Sequence, residues 1–173
     1  MLIQEILSDK NLKPKQKTEL LVENFNSNII NINLLLDFAS KAKDSDKATC
    51  IEVLEFATKM DPKVGNLECL NFAAENLKSK APRVKWESAK VIGNIAHLFP
   101  DELEEAIKNL LDNTEHSGTV VRWSAAYALG EIIKTKHSKT AILIPAIKNI
   151  ADNEEKNSIK KIYLAALKKV ESK

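Results

Sequence analysis

The chain is poor in residues that interrupt or crosslink a fold, with 4 Gly, 5 Pro and 2 Cys among 173 residues. So few turn-forming residues leave long uninterrupted segments between connections. Aromatic residues are also scarce, at 5% of the chain. The remaining composition, 44% hydrophobic and 29% charged, is sufficient for a core and is typical of an all-helical soluble protein.

Long hydrophobic runs are missing as well. No segment reaches the roughly 18 consecutive apolar residues that a membrane-spanning helix needs. The first residues, Met1–Glu5, lack the basic start and apolar stretch of a signal peptide. We therefore expect no membrane partner and a cytoplasmic location.

The chain has no large excess of either charge, because 26 Lys and Arg residues oppose 24 Asp and Glu residues, giving a net charge of +2. Proteins that bind nucleic acid usually show a concentrated basic face. The clearest local excess lies in the last predicted helix, at Lys160, Lys161, Lys168, Lys169 and Lys173. A solvated outer face that caps the fold accounts for this excess better than a nucleic-acid contact does.

The residues that could hold a metal are few and scattered. Cys50 and Cys69 lie among apolar neighbours at helical spacing, which favours buried reduced thiols over a disulfide or a metal pair. The three histidines, His97, His116 and His137, stand at no metal-ligand spacing from one another or from a cysteine. We predict no metal and no cofactor.

The most informative feature is an internal repeat. Val84–Ile95 aligns with Val121–Ile132, Trp to Trp and Gly to Gly, at a spacing of 37 residues. A second pair of segments, Ala106–Asn113 and Ala146–Asn153, aligns at a spacing of 40 residues. A period in this range predicts stacked helix pairs.

The segment from Val121 to Gly130 resembles the second helix of the HEAT-repeat family, which typically opens Val-Arg and continues through paired Ala residues to Leu-Gly. The resemblance extends over about 64–171. It implies an all-α, right-handed α-α superhelix (a HEAT/armadillo-like solenoid) of about ten helices in four or five antiparallel pairs. We expect one domain over 1–173, in which 1–60 form degenerate repeats or a cap and 61–173 form the HEAT-like repeats.

Hydrophobic periodicity and turn residues predict where the helices lie. Ser45 or Asp46 is expected to cap the fourth helix, and the carboxylates of 101–105 are expected in the first turn of another. Pro145 is expected to kink its helix without ending it, as the bent first helices of HEAT repeats imply. The predicted spans are 2–7, a helix from 14, 29–42, 45–60, 64–78, 82–98, 101–113, 119–135, 139–152 and 155–171.

Helical spacing divides each copied segment into a packed side and an open stripe. Gly93 and Gly130 are expected to let neighbouring helices approach closely. The packed positions are Val84, Ala89, Ile92, Ile95 and Ala96 in one copy, and Val121, Ala125, Ala126, Leu129 and Ile132 in the other. The open stripes are Trp86, Lys90, Asn94 and His97, and Trp123, Tyr127, Glu131 and Lys134. In HEAT-like solenoids the second helices line the concave surface, which implies that these stripes lie side by side there.

These stripes contain our candidate partner-binding residues. The residues are Trp86, Trp123, Tyr127, Lys85, Lys90, Arg122 and Glu131. The aromatic members are expected to form an exposed ledge, since aromatic and Arg residues are the usual anchors of interfaces. Two structural alternatives remain open: the Trp side chains wedge between helices, and Arg122 pairs with Asp112.

No catalytic signature is present, since the chain has neither a Gly-rich phosphate loop nor a Gly-x-Ser-x-Gly elbow. HEAT-like DNA alkylation repair glycosylases are similar in outline, but the position of their catalytic carboxylate, one turn after the Trp, holds Lys90 and Tyr127 here. We therefore expect a non-catalytic scaffold that binds a protein or peptide. The alternative is a noncatalytic nucleic-acid-binding protein.

Overall fold

The computed structural model describes residues 2–172, which form eleven α-helices and two short 3₁₀ turns, with no strand in this range. The helices are α1 (Leu2–Ser8), α2 (Pro14–Asn26), α3 (Ile32–Lys41), α4 (Asp44–Met60), α5 (Leu67–Asn76), α6 (Pro82–Ile95), α7 (Glu104–Asn113), α8 (Thr119–Lys134), α9 (Ser138–Ala141), α10 (Ile144–Asn153) and α11 (Asn157–Glu171). The 3₁₀ turns are Pro62–Val64 and Ala96–Leu98.

Ten of these helices form five consecutive pairs, in which α1, α3, α5, α7 and α10 are the first helices. The second helix of each pair packs on that of the next pair, so α2, α4, α6, α8 and α11 form one continuous layer. The first helices form the other layer, and each covers its own second helix. The predicted all-α stack of helix pairs is confirmed.

The core follows the repeat. All ten predicted packed positions of the two copied segments are at most 1% exposed. Their glycines serve close approach, as predicted: a Cβ on Gly93 would lie 2.5 Å from Cε1 of Tyr127, and one on Gly130 would lie 3.2 Å from Cβ of Ala166. The copied segments are therefore the central buried layer of the stack.

Some helices begin at residues other than those predicted, because a capping side chain fixes the first turn. The side chains of Asn31 and Asn66 accept hydrogen bonds from the N–H groups of Leu34 and Cys69, at 3.0 and 2.8 Å, so α3 and α5 each begin three residues later than predicted. The expected cap of α4 is wrong, because both candidates lie inside the first turn and Lys43 occupies the cap position without a side-chain bond.

Two further expectations are corrected. The α7 helix begins at Glu104, so Asp101 and Glu102 lie in the preceding loop and only Glu104 and Glu105 fall in the first turn. The segment around Pro145 is two helices, α9 and α10, separated at 142–143, and the proline lies in the first turn of α10. Proline has no N–H to donate, and its ring clashes with the carbonyl one turn earlier, so it is favoured in the first turn of a helix. Pro145 therefore lies at the start of α10, where we had expected a kink within one helix.

Candidate functional site

Each of α4, α6 and α8 is covered by its own first helix and flanked by two second helices, which leaves one stripe open, whereas α11 is covered by α10 and flanked by α8 alone. We call the combined stripes of α4, α6, α8 and α11 the second-helix face. Its members are exposed or half-exposed and recur at three- or four-residue spacing, except for the adjacent Lys59 and Met60. They are Glu52, Phe56, Lys59 and Met60 on α4; Arg83, Trp86 and Lys90 on α6; Val120, Trp123, Tyr127, Glu131 and Lys134 on α8; and Ser158, Lys161, Ala165 and Lys168 on α11.

Trp123 and Tyr127 form an ordered aromatic pair on this face. Their rings stack with centroids 6.0 Å apart and planes 8° apart, and Trp123 remains 40% exposed. The Tyr127 hydroxyl donates to Oδ1 of Asn94 at 2.7 Å, and its ring lies over Gly93. Burial, with the negative charges of Glu131 and Glu55 adding to it, raises the pKa of Tyr127 to about 12. The tyrosine is therefore a neutral, fixed support for an open indole.

Trp86 is more enclosed than Trp123. It is half-buried, and its Nε1 donates to Oε1 of Glu87 at 2.7 Å. Glu87 is only 4% exposed and is neutralised by Lys90, whose ammonium lies 2.9 Å from Glu87 and 3.4 Å from Glu55. Burial lowers the pKa of Lys90, but hydrogen bonding and charge from Glu87 and Glu55 outweigh it and hold that pKa above 10.5.

Lys85 serves the junction between repeats. Its ammonium donates to the Leu77 carbonyl at the end of α5 and to Oδ1 of Asn113 at the end of α7, each at 2.8 Å. Burial, partly offset by the charge of Asp112, lowers the pKa of this lysine. Because the Lys85 ammonium donates to these two acceptors, it has fewer hydrogen bonds to offer a partner.

Arg122 also joins neighbouring repeats, but not through the aspartate we expected. Its Nε lies 3.1 Å from Oε2 of Glu154, and NH1 donates to the His116 carbonyl at 3.0 Å. Burial opposes ionisation of Glu154, yet hydrogen bonds from Lys156 N–H and Arg122 outweigh it and hold the pKa of that carboxyl below 4.5. The expected pairing with Asp112 is wrong because the arginine reaches forward to the loop after α10.

The face therefore brings together five of the seven candidate residues. Trp86 and Lys90 lie on α6, and Trp123, Tyr127 and Glu131 lie on α8 beside it, with Glu131 bound to Lys134 at 2.6 Å. The two stripes meet directly through the Asn94 to Tyr127 bond. Lys85 and Arg122 lie instead at the ends of the helix pairs.

Sequence reasoning missed several members of this surface. Phe56 and Met60 on α4 are 43% and 86% exposed, and Val120 on α8 is 51% exposed. The available signals were the four-residue spacing of Phe56 and Met60, the three-residue spacing of Val120 and Trp123, and the position of each residue in a second helix. The buried carboxylates Glu55 and Glu87 were also missed as a pair, since only the packing of α4 on α6 places them around one lysine.

Other chemistry is limited in the described chain. Cys50 and Cys69 are free and buried, as predicted, and burial raises the pKa of each to about 12. Within residues 2–172, no three His, Cys, Asp or Glu side chains group closely enough to hold a metal ion. None of the helices in that range combines the length and apolar character needed to span a lipid bilayer.

No family model matches the sequence, and no curated protein is significantly similar to it. Solved structures are similar in fold. The complex of CpcE and CpcF of phycocyanin lyase from Nostoc sp. PCC7120 contains a chain that matches with a TM-score of 0.67 and 17% identity, over 95% of each chain. The designed armadillo repeat protein YIII(Dq)4CqI matches with a TM-score of 0.61 and 16% identity, over 89% of this chain and 68% of the other.

A second designed armadillo protein, YIII(Dq.V1)4CPAF in complex with the peptide (KR)4, matches with a TM-score of 0.63 and 18% identity, over 97% of this chain and 72% of the other. The fold is a HEAT/armadillo-like helical repeat. Solenoids of this kind suit binding, because stacked repeats present one extended surface.

Proposed function

We propose that this chain is a non-catalytic scaffold that binds a protein or peptide on its second-helix face. The observation that carries the proposal is the Trp123 side chain, which is open to solvent yet stacked on an immobilised Tyr127. A rigid exposed aromatic loses little conformational entropy on binding and offers a large apolar contact. Phe56, Met60 and Val120 extend the apolar area on the same face.

The similar structures support the same kind of activity. A designed armadillo protein of this fold is found with a bound peptide, and CpcE and CpcF are found in complex with one another. We propose that Trp86, Trp123 and Tyr127 contact the partner while Lys90 and Glu131 border it. Lys85 and Arg122 would act indirectly, by holding the helix ends that set the spacing of the repeats.

The proposal requires that the Trp123 indole is accessible to solvent, and the structure leaves it more exposed than the Trp86 indole. We expect acrylamide to quench the fluorescence of Trp86→Phe, which reports Trp123, more strongly than that of Trp123→Phe, which reports Trp86. Equal protection of both indoles would remove the observation on which the proposal rests.

Trp123→Ala is the direct functional variant. Loss of a central aromatic anchor should weaken partner binding by about tenfold or more, while the exposed position should limit the loss of folding stability to about 1 kcal/mol. Isothermal titration and thermal melting measure the two effects. Unfolding of the variant, with no selective loss of binding, would identify Trp123 as a packing residue.

Noncatalytic nucleic-acid binding is the second candidate, and exposed lysines on α11 are the feature that favours it. Binding through phosphates releases counterions, so affinity for duplex DNA would fall steeply with salt. Affinity for a peptide anchored by Trp123 would depend on salt much less, which separates the two candidates.

A further inference from the structure

We infer that the partner is a protein segment in which acidic residues flank an apolar side chain, and that it lies across α8 and α11. This inference rests on the proposed function and adds the chemistry of the partner. It comes from a contrast between the basic residues of α11 and those of the two second helices before it, α6 and α8.

Basic side chains on α6 and α8 are all engaged within the fold. Lys85 donates to the two oxygen atoms at its junction, and the other four each reach a carboxylate at hydrogen-bonding distance. The pairs are Arg83 with Glu52 at 2.8 Å, Lys90 with Glu87 at 2.9 Å, Arg122 with Glu154 at 3.1 Å and Lys134 with Glu131 at 2.6 Å. A partner gains little charge attraction from bases that are already paired, because it would have to displace a carboxylate.

The α11 helix differs. It carries four lysines and one glutamate, and that glutamate, Glu171, is paired with Lys148 at 2.8 Å. Lys161 and Lys168 are exposed, and within residues 2–172 neither ammonium has an ion pair or hydrogen bond. They lie two turns apart, opposite the buried Ile159 and Tyr163, and so continue the second-helix face. A solvated capping face, the role expected of these lysines, leaves their ammonium groups without a carboxylate partner from the fold.

Apolar surface lies on the same pair of helices as these charges, because α8 and α11 pack on one another. Val120 and Trp123 on α8 are 51% and 40% exposed, and Leu164 on α11 is 47% exposed. An occupant that satisfies both features has carboxylates for the lysines and an aromatic or aliphatic side chain for Trp123. This combination favours a protein segment over nucleic acid, whose backbone would meet apolar surface instead of a continuous basic track.

The test uses a displayed library of random 12-residue peptides, selected on the full chain and on Lys161→Glu/Lys168→Glu. The wild type should select sequences with Asp or Glu flanking a Leu, Phe or Trp, and the charge-reversed variant should not. A winning peptide should bind that variant about tenfold more weakly, as expected for two exposed charge pairs turned into repulsions. Lys10→Glu/Lys80→Glu, which makes the same charge change in connecting loops, should bind it unchanged.

The outcomes separate this inference from the proposed function. Selection of neutral or basic sequences that still require Trp123 would overturn the acidic partner and leave the scaffold function standing. Failure to select any sequence, or binding indifferent to Trp123→Ala, would overturn both. A third outcome is that duplex DNA competes with the peptide at low salt, and that DNA binding is weakened by the lysine reversals but not by Trp123→Ala. This result would assign α11 to nucleic acid and overturn the inference. Circular dichroism of each variant confirms that it is folded.

Discussion

Tyr127 links the exposed surface of its own repeat to the interior of the preceding repeat. It stacks on Trp123, lies over Gly93 and donates to Asn94 of the preceding second helix. The copied Trp and Gly positions predicted the two stripes, but not this bond. Asn94 and Tyr127 are 33 residues apart, whereas the repeat spacing is 37, so neighbouring second helices are staggered by about one turn. Side-chain packing sets that stagger, and no single segment encodes it.

Gly93→Ala tests this contact. The added methyl would lie 2.5 Å from the Tyr127 ring, which its hydrogen bond and stacking hold in place. Overpacking of this kind costs about 1–3 kcal/mol, against a gain of about 1 kcal/mol from replacing a helical glycine. We expect a net loss of stability in urea unfolding.

The control for this variant removes the obstacle. In a Tyr127→Ala background the same Gly93→Ala change should stabilise by up to about 1 kcal/mol, because only the helix propensity remains. A loss of equal size in both backgrounds would show that the ring does not occupy the space over Gly93.

At the scale of elements, polar side chains join α4 to α6. Glu55 on α4 and Glu87 on α6 are each 4% exposed and share the ammonium of Lys90. Because the pKa of Lys90 is held above 10.5, its contribution to stability is complete below that pH and is lost as the pH rises through the higher value in the folded protein.

Lys90→Met should therefore destabilise the chain in a pH-dependent way. Removing the cation leaves two buried carboxylates without a countercharge, which costs on the order of 3 kcal/mol at neutral pH. Protonation removes negative charge, so the deficit relative to wild type should shrink as pH falls from 7 to 4. Thermal melting across this range measures it.

Matched variants distinguish charge from packing at this position. Lys90→Arg keeps the cation and should retain most of the stability, while Glu87→Gln in the Lys90→Met background should recover part of the loss. A deficit of the same size at pH 4 and pH 7 would contradict the charge explanation and assign the effect to the lost side-chain volume.

The positions of the helices could be predicted from the sequence better than their ends and their side-chain partners. Helix positions were predictable because apolar residues recur at three- and four-residue intervals. The ends were less predictable, since Asn31 and Asn66 cap their helices through local side-chain geometry. The Glu154 partner of Arg122 lies 32 residues away, at the end of α10, and the stacking of the last helix pair on the one before it places it beside the arginine. The sequence therefore identified Arg122 as a candidate residue but did not identify the carboxylate that it binds.

At the scale of the molecule, contacts run from each helix pair to the next. Within residues 2–172, the α6 and α8 helices are flanked on both sides in the second-helix layer, whereas α2 and α11 each have one such neighbour. The repeat predicted this order, because a stack of copies has an interior and two ends. Stability in such an array is approximately the sum of repeat and interface contributions, so the ends should open at lower free energy than the interior.

Hydrogen exchange measured by mass spectrometry tests this gradient. Amides of α6 and α8 should exchange most slowly, and those of α1, α2, α10 and α11 faster, because opening an end pair breaks only one interface between second helices. Lys90→Met provides an internal check: it weakens the interface of α4 with α6, so protection should fall in α1 to α4 more than in α8 and α11. Uniform protection along residues 2–172, reduced equally everywhere by this variant, would instead mean that the chain unfolds as a single cooperative unit.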